Sequence, residues 1–197
     1  MIQIGNRSVI DLVGLTFRQP AAAAQYLMTL GYPRQVLWLL VVLVSVLSVL
    51  VMALTQVLIP AQVGEQQIPI TPMTYAAIVG LSLVILVFAV HMVGQVMGGK
   101  GRFDDALALM IWVQFMAIPI QIAQAVVLMI APALVGFVTM AGLGFLVYCL
   151  AHFVTQLHRF DSIARGVMTL VVAILGMVFG LAMILTLIGV STTTGAL

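Results

Sequence analysis

Charged side chains are scarce in this sequence: seven Lys and Arg and five Asp and Glu among 197 residues, 6% of the chain against 64% hydrophobic. Soluble domains carry about 25% charged residues, so this composition cannot cover a water-facing surface. A mean hydropathy of +1.30 makes lipid the main solvent. The net charge is only +2, and the basic groups sit beside apolar runs instead of forming a patch, which excludes nucleic acid as a partner. Cysteine occurs once, at Cys149 inside an apolar run, so the chain has no intramolecular disulfide and no paired-thiol metal or redox site. There is no His-Glu-x-x-His, and no acidic residue inside an apolar run that could couple ion movement. The charged, apolar, small-residue order of a cleaved signal peptide is also missing, because Asp11, Arg18 and Pro20 interrupt the first apolar segment; the N-terminus is expected to be retained. These absences predict a protein that is not an enzyme and carries no cofactor.

What the chain has in abundance is long apolar runs. A helix needs about 20 residues to cross a hydrocarbon core. Val36–Ile59 meets that length, with Arg34 before it and Pro60 after it, and Tyr75–Met97 is a second span. From Ala106 to Gln156 the sequence is apolar for too long to be one crossing and must fold back. Proline is tolerated at a helix start but not in its interior, so the reversal is expected at Ala131-Pro132, giving spans at 106–130 and 133–156. Pro119 comes too soon after Ala106 for a crossing and reads as a mid-helix kink. The last span is 166–190.

The seven basic residues fall in three segments: Arg7, Arg18 and Arg34 before the first span, Lys100 and Arg102 after the second, and Arg159 and Arg165 before the fifth. Five spans with the N-terminus cytoplasmic and the C-terminus outside put all of them on one side, as the positive-inside rule demands. The connection 61–74, with Glu65, Pro69 and Pro72 but no Lys or Arg, and the uncharged tail from Ser191 then lie outside. The expected fold is an all-α integral membrane protein. It comprises a cytoplasmic segment, 1–34, and a five-span domain, 35–197.

The cytoplasmic segment reads as two short amphipathic helices. In the first, Ser8 and Asp11 stand at capping-box spacing; Arg7, Asp11, Gly14 and Arg18 share one face and Ile10, Val13 and Phe17 another. The second starts at Pro20, runs through Tyr26, Leu27 and Leu30, and stops at Gly31-Tyr32-Pro33. Such helices suit the membrane plane, with the apolar stripe in lipid; packing on the cytoplasmic ends of the bundle is the alternative.

Several polar residues inside or beside the spans invite a functional reading. His91, His152 and His158 fall near the cytoplasmic ends of their helices and are candidate metal or proton ligands together with Asp104, Asp105 and Asp161, although no spacing demands a metal and interhelical hydrogen bonding is the simpler reading. Gln114, Gln121 and Gln124 flank Pro119, as interhelical glue or as a polar path. Gly176 and Gly180 form a small-residue face suited to helix packing. The loop Gly98-Gly99-Lys100-Gly101-Arg102-Phe103 lacks the preceding strand and the Gly-Lys-Ser/Thr ending of a nucleotide loop. Lys100, Arg102 and Phe103 are therefore assigned to lipid or partner contact, as are Arg18 and Pro20, while Asp104 and Asp105 suit the start of a helix.

Together, Phe17-Arg18-Gln19-Pro20, the five spans, the Gly98–Phe103 loop and His158 before the last span resemble the Yip family, the Ypt- and Rab-interacting membrane-protein domain, in its bacterial branch. The resemblance spans about Asp11 to Val190. It implies a five-helix membrane domain with a cytoplasmic N-terminus and, in eukaryotic relatives, roles in vesicle traffic and Rab GTPase binding through longer N-terminal regions. The short cytoplasmic segment of this chain argues against a Rab-type GTPase partner. For bacterial members the resemblance implies fold and an inner-membrane location but no activity. The expected function is binding: an organising or assembly factor for membrane proteins or lipids, with lipids, another membrane protein or a second copy as partners. The alternative is a small transporter, channel or lipid-translocating protein with a polar path near Pro119.

Overall fold

The computed structural model describes residues 8–58 and 71–187, with side chains throughout except at 181, 182 and 184–187. The expectations for Arg7, for the connection around Glu65 and for the tail from Ser191 lie outside the described residues.

Two short helices, α1 (Val9–Arg18) and α2 (Pro20–Thr29), precede five long ones: α3 (Arg34–Leu58), α4 (Pro72–Val96), α5 (Phe103–Ile130), α6 (Val135–His158) and α7 (Ile163–Leu187). Among the described residues, five helices are long and apolar enough to cross a membrane. Four of the five begin two or three residues before the hydropathy of the sequence suggests, because their first turns hold residues that a helix start favours and an apolar window rejects. Thr71 caps α4 by accepting from the Thr74 amide, with Pro72 in its first turn, and Asp104 and Asp105 occupy the first turn of α5. The reversal falls at Ala131, which leaves the helical region at φ −148° and ψ 73°, and Pro132 opens a 3₁₀ turn (Pro132–Leu134) leading into α6. Pro119 lies inside α5, which continues through it.

Each span buries one stripe and leaves the rest apolar and exposed. In α3 the stripe is Leu37, Val41, Val44, Ser45 and Ser48, a 3.6-residue periodicity. It faces α5, which also packs on α4 and α6, while α7 closes the bundle against α4 and α6. The outer surface carries large side chains such as Leu39, Val46, Phe137 and Phe179. Lipid is as apolar as these side chains, so the bundle is held by close packing and interhelical hydrogen bonds more than by exclusion of water. Gly142 and Gly166 mark close approaches: a Cβ on Gly142 would overlap Ile120, and one on Gly166 would overlap the Thr155 side chain and come within 2.9 Å of the Ala151 carbonyl oxygen.

The α1–α2 hairpin packs on the flank of this bundle, α2 lying against α5 and α6. The capping box is present, Ser8 accepting from the Asp11 amide and the Asp11 carboxylate accepting from the Ser8 amide. The buried face of α1 is not the stripe of Ile10, Val13 and Phe17. Leu12 and Thr16 point inward, whereas Ile10 is 82% exposed and Phe17 54%. Thr16 is tolerated inside because its hydroxyl donates to the Leu12 carbonyl and accepts from Trp112 Nε1 at 2.9 Å.

Candidate functional site

At the end of α6, His158 is 1% exposed. It sits in a cradle made by glycines of α4 and the α4–α5 loop. A Cβ at Gly94 or Gly99 would overlap the imidazole ring, and one at Gly101 would stand 2.8 Å from Leu157 Cγ and 2.9 Å from the ring. No other residue type leaves room for the ring at these three positions. The loop can wrap it because α4 ends in a left-handed turn: Gly98 has φ 85°, and the amides of Gly98 and Gly99 donate back to Gln95 and Gly94. The next amides turn outward to α6, that of Lys100 donating to the His158 carbonyl at 3.2 Å and that of Gly101 to His158 Nδ1 at 3.4 Å. An Nδ1 that accepts leaves the proton on Nε2. That nitrogen is buried against α4 and faces the Val90 carbonyl without a well-formed hydrogen bond. Phe160 stacks on the other side of the ring at 5.4 Å, brought there by Arg159, whose φ of 55° turns the chain out of α6.

The clasp fixes Lys100 and Arg159 at the same end of the bundle. Arg34 is there too, pairing with Asp104 at 2.8 Å and lying 5.7 Å over the Phe103 ring. Phe103 turns inward, packing on Phe88 at 4.8 Å and on His91 at 5.7 Å, so this ring binds α4 instead of standing out as an anchor. Lys100, Arg102, Arg159 and Arg165 are exposed beside it, and Arg165 lies 3.9 Å from Asp161. The site is thus a neutral, glycine-lined joint surrounded by a cationic rim. The joint holds two spans in register, and the rim offers donors to anionic groups.

The three histidines do not converge. His91 meets Gln95 at 3.1 Å, and His152 packs edge-on against Tyr148 in α6. Among the described residues no group of three or more His, Cys, Asp and Glu side chains is placed to hold a metal ion. Gln114 donates to Ser48 of α3 and Gln124 to Thr139 of α6, while Gln121 lines a cleft with Gln56 and Tyr75 at the opposite end of the bundle. Gly176 and Gly180 have open space where a Cβ would stand, so among the described residues no helix uses them for close approach. Arg18 is exposed, but Pro20 is buried at the start of α2 and offers no surface for contact.

Sequence reading singled out the loop glycines and His158 separately and missed Gly94, Trp112 and Gln25. Gly94 sits inside an apolar run where glycine is common. Trp112 and Gln25 matter only through distant partners, Thr16 and Gln156.

Comparison with known proteins adds one finding. Residues 14–184 match the family described as the Yip1 domain, a stretch that includes α2 to α6, the glycine loop and His158. No curated protein and no solved structure matches the chain.

Proposed function

This chain belongs to the Yip1 domain family, and from that premise we propose that it is a non-enzymatic, multi-pass protein of a bacterial inner membrane that binds and organises membrane lipids or membrane proteins. The observation that supports this most directly is a cleft of about 330 Å³ between the α1–α2 hairpin and the spans, lined by Leu12, Leu27, Leu37, Val44, Ile111 and Trp112 among others. Its walls are mainly apolar, and it reaches from Tyr32 beside α3 down to Leu47. Between Leu37 and Leu47 the α3 backbone rises about 15 Å, the reach of a lipid chain lying parallel to the helix. Arg34 follows the lining residue Tyr32 by two positions, and its side chain is 62% exposed despite its pair with Asp104. An apolar slot with a cation at its headgroup end fits an amphiphile.

The test is photocrosslinking in native membranes with a phospholipid that carries a diazirine on one acyl chain. Labelling concentrated on peptides that contain Leu37 and Trp112 supports the reading. Labelling spread evenly over outward positions such as Phe137 and Phe179 overturns it.

A second reading, facilitated passage, draws on the cleft at the other end, about 450 Å³ and lined by Thr55, Gln56, Tyr75, Gln121, Gln124 and Thr139. Along α5 the lining of this cleft stops at Gln121; beyond it Gln114 donates to Ser48 and Trp112 to Thr16, and the buried residues Met116, Ile111 and Met110 are apolar. Binding is therefore the better supported function, since a conducting path needs polar lining along its length.

A further inference from the structure

Among the described residues the outward side of α1 packs on no other helix except where Phe17 stacks on Phe145 at one edge, and its residues are arranged in a specific way. With Leu12 and Thr16 directed into the bundle, Gly14 points away from it, flanked on one edge by Asp11 and Arg18 and on the other by Ile10 and Phe17. All five are exposed, and a Cβ on Gly14 would meet nothing within 4 Å. The two edges are centred on the same residue: Asp11 and Arg18 lie on either side of Gly14, as do Ile10 and Phe17.

The position of α1 makes this pattern consequential. Phe17 stacks on Phe145 of α6 at 4.3 Å, Thr16 meets Trp112 of α5, and Val9 lines the same cleft as Leu43 and Leu47 of α3. Counted along the helices from the end that carries the Arg34–Asp104 pair, these neighbours lie about 12–20 Å inward. The helix therefore runs across the apolar length of the bundle, from the cleft between α3 and α5 to α6. A carboxylate and a guanidinium exposed at that level are costly to leave against lipid.

We propose that this face is the interface of a homodimer in which α1 lies antiparallel to the α1 of a second copy, with Gly14 on the two-fold axis. Copies of one membrane protein share an orientation, so their two-fold axis runs along the membrane normal. Rotation about that axis turns an in-plane helix antiparallel and keeps its two edges at their own depths. Asp11 then faces the partner's Arg18 and Arg18 the partner's Asp11, while Ile10 meets the partner's Phe17 in the apolar layer beneath. Gly14 lets the two backbones approach. Self-complementarity of both edges is what an isologous contact requires. This inference stands whether or not a lipid occupies the cleft on the inner side of α1.

The experiment uses the full chain in native membrane vesicles, with Cys149→Ala to remove the one native thiol and Gly14→Cys as the reporter. Mild oxidation with copper phenanthroline is expected to join two copies at position 14. Asp11→Arg and Arg18→Asp are each expected to lower cross-linking at least tenfold. The double variant D11R/R18D restores it, and so does coexpression of the two single variants, which yields only the mixed pair. Recovery in that mixture shows that the single variants are folded, and R18D leaves the Ser8–Asp11 cap intact. Absence of the cross-link in the unreversed chain overturns the proposal, as does a cross-link indifferent to charge reversal. Conjugates with other proteins alone, or a monomer whose R18D form loses bound anionic lipid, would assign the face to a different occupant and equally overturn it.

Discussion

His158 illustrates how one side chain can fix a joint between helices. Its ring occupies space that a Cβ at Gly94 or Gly99 would take, and its Nδ1 satisfies the Gly101 amide. Gly94→Ala is expected to lower stability by about 1–3 kcal/mol, the usual cost of overpacking, while His158→Ala is expected to cost a similar amount through a cavity and an orphaned amide, about 1–3 kcal/mol. The two effects share one cause, so in the H158A background the added methyl fills the space left by the ring and G94A loses most of its penalty. Melting curves of the four proteins in one detergent measure this; additive losses would show that the alanine disturbs something other than the ring. Much of this residue-level detail is invisible in the sequence. The loop glycines advertise a turn, but that they surround a histidine some sixty positions later follows only from the packing of α4 against the end of α6.

Among the helices, glycine has two opposite meanings, and α7 contains both. Gly166 faces the Thr155 side chain and the Ala151 carbonyl of α6, whereas Gly176 faces open space. Gly166→Ala is expected to push α7 off α6 and cost about 1–3 kcal/mol, because the obstacle includes backbone that cannot move aside. Gly176→Ala is expected to be neutral or to stabilise by up to about 1 kcal/mol through helix propensity. Thermal unfolding of both variants in the same lipid nanodisc checks the contrast, and an equal loss at the two sites would mean that Gly176 packs against another molecule. The number of spans and the reversal at Ala131 were readable in advance because lengths and prolines are local properties, although four of the five long helices start earlier than hydropathy suggests. The inward face of α1 was not. Its apolar residues Ile10, Val13 and Phe17 suit lipid as well as protein, and it is Thr16, with partners in Leu12 and Trp112, that takes the inside position.

For the whole molecule, the clasp between the α4–α5 loop and His158 ties Lys100 and Arg102 to the same end as Arg159 and Arg165, with Arg34 joined to Asp104 beside them. That common end is expected to face the cytoplasm, since basic residues resist translocation. A phosphatase that is active only outside the cytoplasm should therefore work when fused after Leu197 and be silent when inserted at Gly101. Activity at Gly101 would reverse the orientation and move the cationic rim to the opposite leaflet.

The sequence by itself determined the number of spans, the reversal at Ala131-Pro132 and the gathering of cations into a few connections. A hydrocarbon layer imposes one length on every crossing and forbids unsatisfied backbone within it, so these features can be counted along the chain without knowing what touches what. The tertiary structure alone decided that three glycines enclose His158, that a threonine takes the inside position of α1 while Phe17 stacks on Phe145 at its edge, and that the hairpin leans on the flank of the bundle and leaves a cleft behind it. In an apolar environment side chains choose neighbours by shape and by whichever hydrogen-bond partner lies within reach, and both depend on how helices distant in sequence come to stand side by side.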